Sequence, residues 1–236
     1  MKSLEFLNQL KDSKSVVFTF SDLVKILGKN EPYTKVFIYR LVKKELLKRL
    51  ERNKYVVKGI NPFLVASNIL FPSYISFLSA YSYYNLTMQL PRTFYIVCLK
   101  EKKQLNYDNN TFQFIKFNKL RFFGFKKEML DNKFIFVAEV EKAILDSLYL
   151  PKYCPISETF FALRNAKLDI NKLLDYAKRM KSLAVIKRLG YLLEMVGIDA
   201  SKIKTSFKNY TLLNPTLQKV GEKNERWKLI INEVLE

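Results

Sequence analysis

The chemistry this sequence offers most plainly comes from closely spaced positive side chains. An ammonium or guanidinium neutralises a phosphate, and a guanidinium can also read a guanine edge through two parallel hydrogen bonds. Residues 35–58 hold nine Lys/Arg against Glu45 and Glu51. On a folded segment such a density points to a polyanionic partner, the alternative being a solvated basic face. Two acidic constellations also invite a test. Glu101-Lys102-Lys103 matches the Glu-x-Lys half of a metal-dependent nuclease core, in which carboxylates hold Mg²⁺ and a lysine sits beside the attacking water. No Asp on a preceding strand completes it. Glu139 and Glu141 are acidic enough for a metal, but near neighbours on a helix diverge in direction, and Glu141 reads as ordinary surface charge.

Composition removes other chemistries. The 236 residues include no histidine, which excludes imidazole bases, Ser-His-Asp and Cys-His systems and every His-containing zinc site. Cys98 and Cys154 stand far apart with no CxxC, so neither a zinc ribbon nor a disulfide framework is expected, and a reducing cytoplasm fits. There is no GxxxxGK[ST] or GxGxxG, and six glycines leave little material for a phosphate-cradling loop. No cofactor or metal is expected. The net charge of +19 accompanies 49% hydrophobic residues, enough for a full core. It is unevenly spread: residues 1–58 carry net +8, about twice the density of the rest.

The elements that must position the cations follow from periodicity. Residues 3–11 place Leu4, Leu7 and Leu10 three apart, the stripe of a short helix, and residues 16–20 read as a strand. Ser21 offers a cap to a second helix that Gly28 closes, and Pro32 opens a third. At 100° per residue that third helix gathers Phe37, Ile38 and Leu41 on one side and Lys35, Val36, Tyr39, Arg40 and Lys43 on the other. Residues 46–51 and 54–58 then flank Arg52-Asn53, a tight hairpin turn. This order is that of a winged helix-turn-helix, whose third helix enters the major groove while the hairpin lies along the backbone or minor groove. Lys35, Val36, Tyr39, Arg40 and Lys43 are therefore expected at the groove, and Arg49, Arg52, Asn53 and Lys54 at the phosphates. The run from Tyr39 to Tyr55 also resembles winged-helix regulators, which often have Gly where Glu45 and Asn53 stand. Asn53 keeps the turn, whereas Glu45 implies a differently ended helix.

Residues 59–236 are expected to form a larger mixed α/β domain behind the 1–58 winged helix, an α+β chain overall. Residues 59–91 carry no charge and follow a basic segment, as a membrane span would, but Pro62, Pro72 and Pro91 interrupt them. Two buried helices, 62–70 and 73–84, are the better reading, with no membrane partner. The start is no signal peptide, since Glu5, Asn8 and Gln9 break its apolar residues. Strands are expected at 93–99, 111–117, 122–125 and 134–137, with 101–110 an exposed hairpin loop. Helices follow at 139–150, 157–166, 169–180 and 183–196, then strand character at 210–213 and 227–231.

Residues 73–86, Gln89-Leu90-Pro91, the run 138–148 with its Glu-Lys-Ala-hydrophobic-hydrophobic-Asp pattern, and the closing 227–232 resemble the AbiEi family of antitoxin regulators. The likeness covers nearly the whole chain, and it departs where relatives carry His-Gly and this chain has Tyr84-Asn85. The resemblance implies a regulator in a type IV toxin–antitoxin or phage-defence system. Its winged helix would repress its own promoter on double-stranded DNA, with a dimer on inverted repeats as one arrangement. Its C-terminal part would counter a nucleotidyltransferase toxin encoded next door. The expectation is thus a cytoplasmic, non-enzymatic DNA-binding regulator. The competing readings are a nuclease using Glu101 and Lys103, with the winged helix as targeting module, and a membrane-tethered regulator.

Overall fold

The computed structural model describes residues 2–203 and 206–235, which divide into two compact units. The first comprises Met1–Tyr74, Arg92–Lys116 and Lys127–Val137. It opens with α1 (Ser3–Asp12), α2 (Phe20–Leu27) and α3 (Glu31–Lys43), then β1 (Leu47–Glu51) and β2 (Lys54–Val57). The expected apolar faces meet: Phe6, Leu7, Leu10, Leu23, Leu27, Ile38, Leu41, Leu47 and Val57 form one buried cluster. Each such side chain contributes about 1.5–3 kcal/mol on leaving water, which is what holds three short helices that would not persist alone. The winged helix-turn-helix is therefore present as the sequence predicts. Two details differ. Residues 16–20 are not a strand: Phe18 alone bridges Tyr55, and α2 already begins at Phe20. Its cap is consequently Thr19, not Ser21, in a reciprocal box with Asp22 (Thr19 N to Oδ2 2.8 Å; Asp22 N to Thr19 Oγ1 3.2 Å).

The same unit carries α4 (Pro62–Asn68) and nearly all of a six-stranded sheet ordered β5-β6-β4-β3-β8-β7. Its strands are β3 (Ser73–Ile75), β4 (Thr93–Cys98), β5 (Leu105–Tyr107), β6 (Asn110–Lys116), β7 (Phe125–Leu130) and β8 (Lys133–Ala138). The expected single helix over 73–84 is thus split. Ser73, Tyr74 and Ile75 are all buried in a central strand, and an apolar run this short has no period to distinguish strand from helix. The segment 101–110 is not a simple hairpin loop, since β4 and β6 run parallel and β5 folds back antiparallel on β6. Residues 119–121 form a 3₁₀ turn, so only Phe125 of the expected 122–125 strand is extended. Phe63 of α4 meets Phe94 of β4 edge to face at 4.9 Å.

The second unit, Ile75–Pro91, Phe117–Lys126 and Ala138–Glu236, is mainly helical. It contains α5 (Phe77–Tyr83), α6 (Val140–Tyr149), α7 (Ile156–Asn165), α8 (Ile170–Arg179) and α9 (Leu183–Met195). A small sheet ordered β10-β11-β9 closes it, from β9 (Thr211–Leu212), β10 (Glu222–Asn224) and β11 (Leu229–Ile231). Helix α6 is its axis, packed by α5, α7, α8 and α9 and buried without interruption from Glu141 to Leu148. Burial on every side forces its charges into internal pairs, and Lys142 and Asp146 form an ion pair one turn apart at 0% exposure. Among the described residues no helix is long and apolar enough to cross a membrane.

Candidate nucleic-acid interface

Helix α3 is set by local chemistry at both ends. Gly28 ends α2 at φ +64°, Asn30 caps α3 through Tyr33 N to Oδ1 at 3.0 Å, and Pro32 occupies the first turn. Thr34, Ile38 and Leu41 are buried, which turns Lys35, Val36, Tyr39, Arg40 and Lys43 to solvent. Val36 is 50% and Tyr39 65% exposed on this face. No hydrogen bond or ion pair among the described residues engages the side chain of Lys35, Arg40 or Lys43. The helix ends through Glu45, which takes the left-handed backbone (φ 54°) that glycine adopts freely and a side chain holds only at some strain. Lys58 fixes the Glu45 side chain at 2.6 Å, and that hydrogen bond holds the carboxyl below its usual range.

The hairpin is equally well placed. Asn53 stands at φ 62° in the Arg52-Asn53 turn, and its Oδ1 accepts from Phe20 N at 2.8 Å, fixing the wing tip to the start of α2. Arg49 faces α3 across a cleft of about 400 Å³ lined by Phe20, Lys35, Val36, Tyr39 and Tyr55. Cations rim an aromatic and aliphatic floor there, the combination that accepts a sugar–phosphate strand beside thymine methyls. Arg52 is exposed with no internal partner among the described residues. Lys54 is oriented differently: its Nζ donates to Ile69 O (2.6 Å) and pairs with Glu51 (2.9 Å). Burial raises the Glu51 carboxyl, but hydrogen bonds from Lys102 and Lys54 outweigh it and leave it below the ordinary range.

Sequence reasoning missed the support behind this hairpin. Lys102 reaches Glu51 at 2.5 Å, Lys48 pairs with Asp108, and the Tyr107 hydroxyl donates to Ile60 O at 3.0 Å. Lys133 donates to the carbonyl oxygens of Lys11 (2.8 Å) and Ser13 at the C-terminal end of α1, where a cation also meets the helix dipole. The partners are dozens of residues apart, so no local pattern announces them.

The competing chemistry finds no support. Glu101 is 82% exposed and tied to Lys116 at 2.9 Å, with lysines rather than carboxylates beside it. Among the described residues no group of three or more His, Cys, Asp or Glu is placed to hold a metal ion. Glu141 is not surface charge: it is buried, and Lys172 bridges it and Glu139 at 3.1 Å each. The Tyr176 hydroxyl donates to Glu139 at 2.6 Å, and Asp169 N donates to Glu141 at 3.1 Å. Both thiols are buried, and burial pushes Cys98 up and Cys154 up to about 12, far from a nucleophile's range.

Comparison with known proteins bears on the same segment. Residues 5–58 match the family model described as transcriptional regulator, AbiEi antitoxin. The crystal structure of the RV2827C protein from Mycobacterium tuberculosis superposes with a TM-score of 0.68 at 15% identity, over 94% of this chain and 88% of that one. At that identity the likeness is one of fold. No curated protein matches the sequence.

Proposed function

From a winged helix of the AbiEi antitoxin regulator type, we propose that this chain binds double-stranded DNA at its own promoter and represses it. The observation that carries the reading is the outer face of α3, where Lys35, Arg40 and Lys43 surround exposed Val36 and Tyr39 and no acceptor among the described residues claims any of the three cations. Inserted in the major groove, Arg40 reads base edges and the smaller side chains contact thymine methyls, while Arg49 and Arg52 meet phosphates on either side of the wing. The chain acts in the cytoplasm by binding and not by catalysis. As an antitoxin of a type IV or phage-defence pair, its larger C-terminal part counters a nucleotidyltransferase toxin encoded beside it.

The test is a footprint on the DNA preceding the gene. A protected inverted repeat, with half-site centres about 34–36 Å apart, supports repression by a dimer. A single protected half-site supports a monomer. Uniform weak protection of that DNA and of a scrambled control overturns the promoter assignment. Co-expression with the neighbouring nucleotidyltransferase tests the second half, since growth arrest unchanged by this chain removes the antitoxin role.

A further inference from the structure

Beyond the wing, the same compact unit carries a second set of cations that lies outside the family-matched residues 5–58. The connection from β4 to β5 bears Lys100, Lys102 and Lys103, and Lys116 ends the neighbouring strand β6. Together with Glu101 and Phe114, Lys102, Lys103 and Lys116 line an open cleft of about 450 Å³. Its place relative to the wing is fixed by Glu51. That carboxylate takes Lys54 of the hairpin at 2.9 Å on one oxygen and Lys102 of the connection at 2.5 Å on the other. Lys102 also lies 5.4 Å from the centre of the Phe114 ring, which holds its stem in place. Glu51 adjoins Arg52 at the tip of the wing, so the exposed Lys100 and Lys103 sit one or two residues along the chain from a group bonded to that tip. No internal partner among the described residues engages the side chain of Lys103, and Lys116 has only the exposed Glu101, an exchangeable pairing.

We propose that Lys100, Lys103 and Lys116 form a phosphate-binding extension of the wing, contacting the duplex backbone beyond the bases read by α3. The inference rests on the DNA-binding reading above and adds a partner surface to it. A duplex is the occupant that fits, because these cations join the wing through Glu51 and the phosphates beyond those the wing meets repeat the same charge along the same backbone. Lys102 is the anchor of the arrangement, held toward the wing by Glu51 and against the Phe114 ring.

The experiment uses the full-length chain and two labelled duplexes from the DNA preceding its gene. One ends at the footprint of the wing, and the other is extended by eight base pairs on the wing's outer side. The double variant Lys100→Ala/Lys103→Ala is expected to bind the short duplex as the wild type does. On the long duplex it is expected to lose several-fold in affinity, with the slope of log K against log[salt] flatter by about 1.8, from two phosphates at about 0.9 each. Charge reversal, Lys103→Glu, should lose more on the long duplex and again nothing on the short one. Wild-type slopes for both variants on both duplexes overturn the extension while leaving the winged-helix reading intact. A wild-type chain whose affinity for every duplex is independent of salt overturns both.

Discussion

Cations serve opposite purposes on the outer face of α3 and in the interior of the second unit. On α3 and the wing, Lys35, Arg40, Lys43 and Arg52 are exposed and have no acceptor within the described protein. In the second unit Lys142 is wholly buried, paired with Asp146, and 5.0 and 5.2 Å from the rings of Phe123 and Phe117. Asp146 in turn accepts from the Ser76 hydroxyl at 2.8 Å. Arg188 donates to Leu148 O at 2.6 Å and Leu212 O at 3.0 Å, and Lys187 to the Thr211 hydroxyl at 3.1 Å. Desolvating an ion costs several kcal/mol unless the fold supplies such acceptors. What marks an interface in a chain of net charge +19 is therefore not the number of cations but which of them the fold leaves unanswered.

The sharpest way to break this contrast is Asp146→Ala. It leaves Lys142 buried without its counter-ion, although burial already draws that ammonium below its ordinary range. The expected loss is about 3–5 kcal/mol of unfolding free energy in urea titration. Arg40→Ala on the exposed side should stay within about 0.5 kcal/mol of wild type. Similar losses for the two would remove the distinction.

Next in size is an alkaline effect confined to the buried side. The Cys154 thiol titrates near 9 when unfolded and is pushed up to about 12 by burial. Below pH 9 both states hold the proton. Between 9 and 12 only the unfolded chain releases it, so stability falls as pH rises, by about 3 to 4 kcal/mol in total. Tyr107 and Tyr176, also raised to about 12, add to the fall above pH 10. Urea midpoints across pH 8–11 should decline for the wild type and decline less steeply for Cys154→Ala. Identical slopes would mean that the thiol is solvated in the folded state.

These contrasts were unequally legible in the sequence. The outer face of α3 could be read because a 13-residue helix repeats its pattern several times and needs no distant information. The wing was legible because Asn53 announces its own turn. The ion pair of Lys142 and Asp146 is local, one helical turn apart, whereas the burial of Glu141 could not be read because its partner Lys172 lies on another helix. Strand β3 was lost within an apolar run too short to show a period, and the parallel pairing of β4 with β6 was lost because register is a long-range property. The wing's support through Lys102, Asp108 and Tyr107 was invisible for the same reason.

Within the DNA-binding reading, Arg40→Ala should cost about 1–3 kcal/mol on the cognate duplex and relax its base preference, because the paired hydrogen bonds it removes are sequence-specific. Titration against cognate and scrambled duplexes checks it. An equal loss on both would move Arg40 from the bases to the phosphates.

The smallest effect divides two neighbours in the wing and carries the comparison to a single hairpin. Arg52 is exposed and unanswered, whereas Lys54 is already held by Glu51 and Ile69 O. If an unanswered cation is what a phosphate takes, Arg52→Ala should flatten the salt dependence of binding by about 0.9 for the one phosphate it no longer neutralises. Lys54→Ala should flatten it less, because that ammonium is already held by Ile69 O and by Glu51, whose one negative charge it shares with Lys102. Binding isotherms between about 0.05 and 0.2 M salt resolve the two. Equal flattening by both variants would show that the pair with Glu51 opens on the duplex and that Lys54 joins the phosphate contacts expected from the sequence. An internal acceptor would then be a holding place for a cation and no longer a bar to its use.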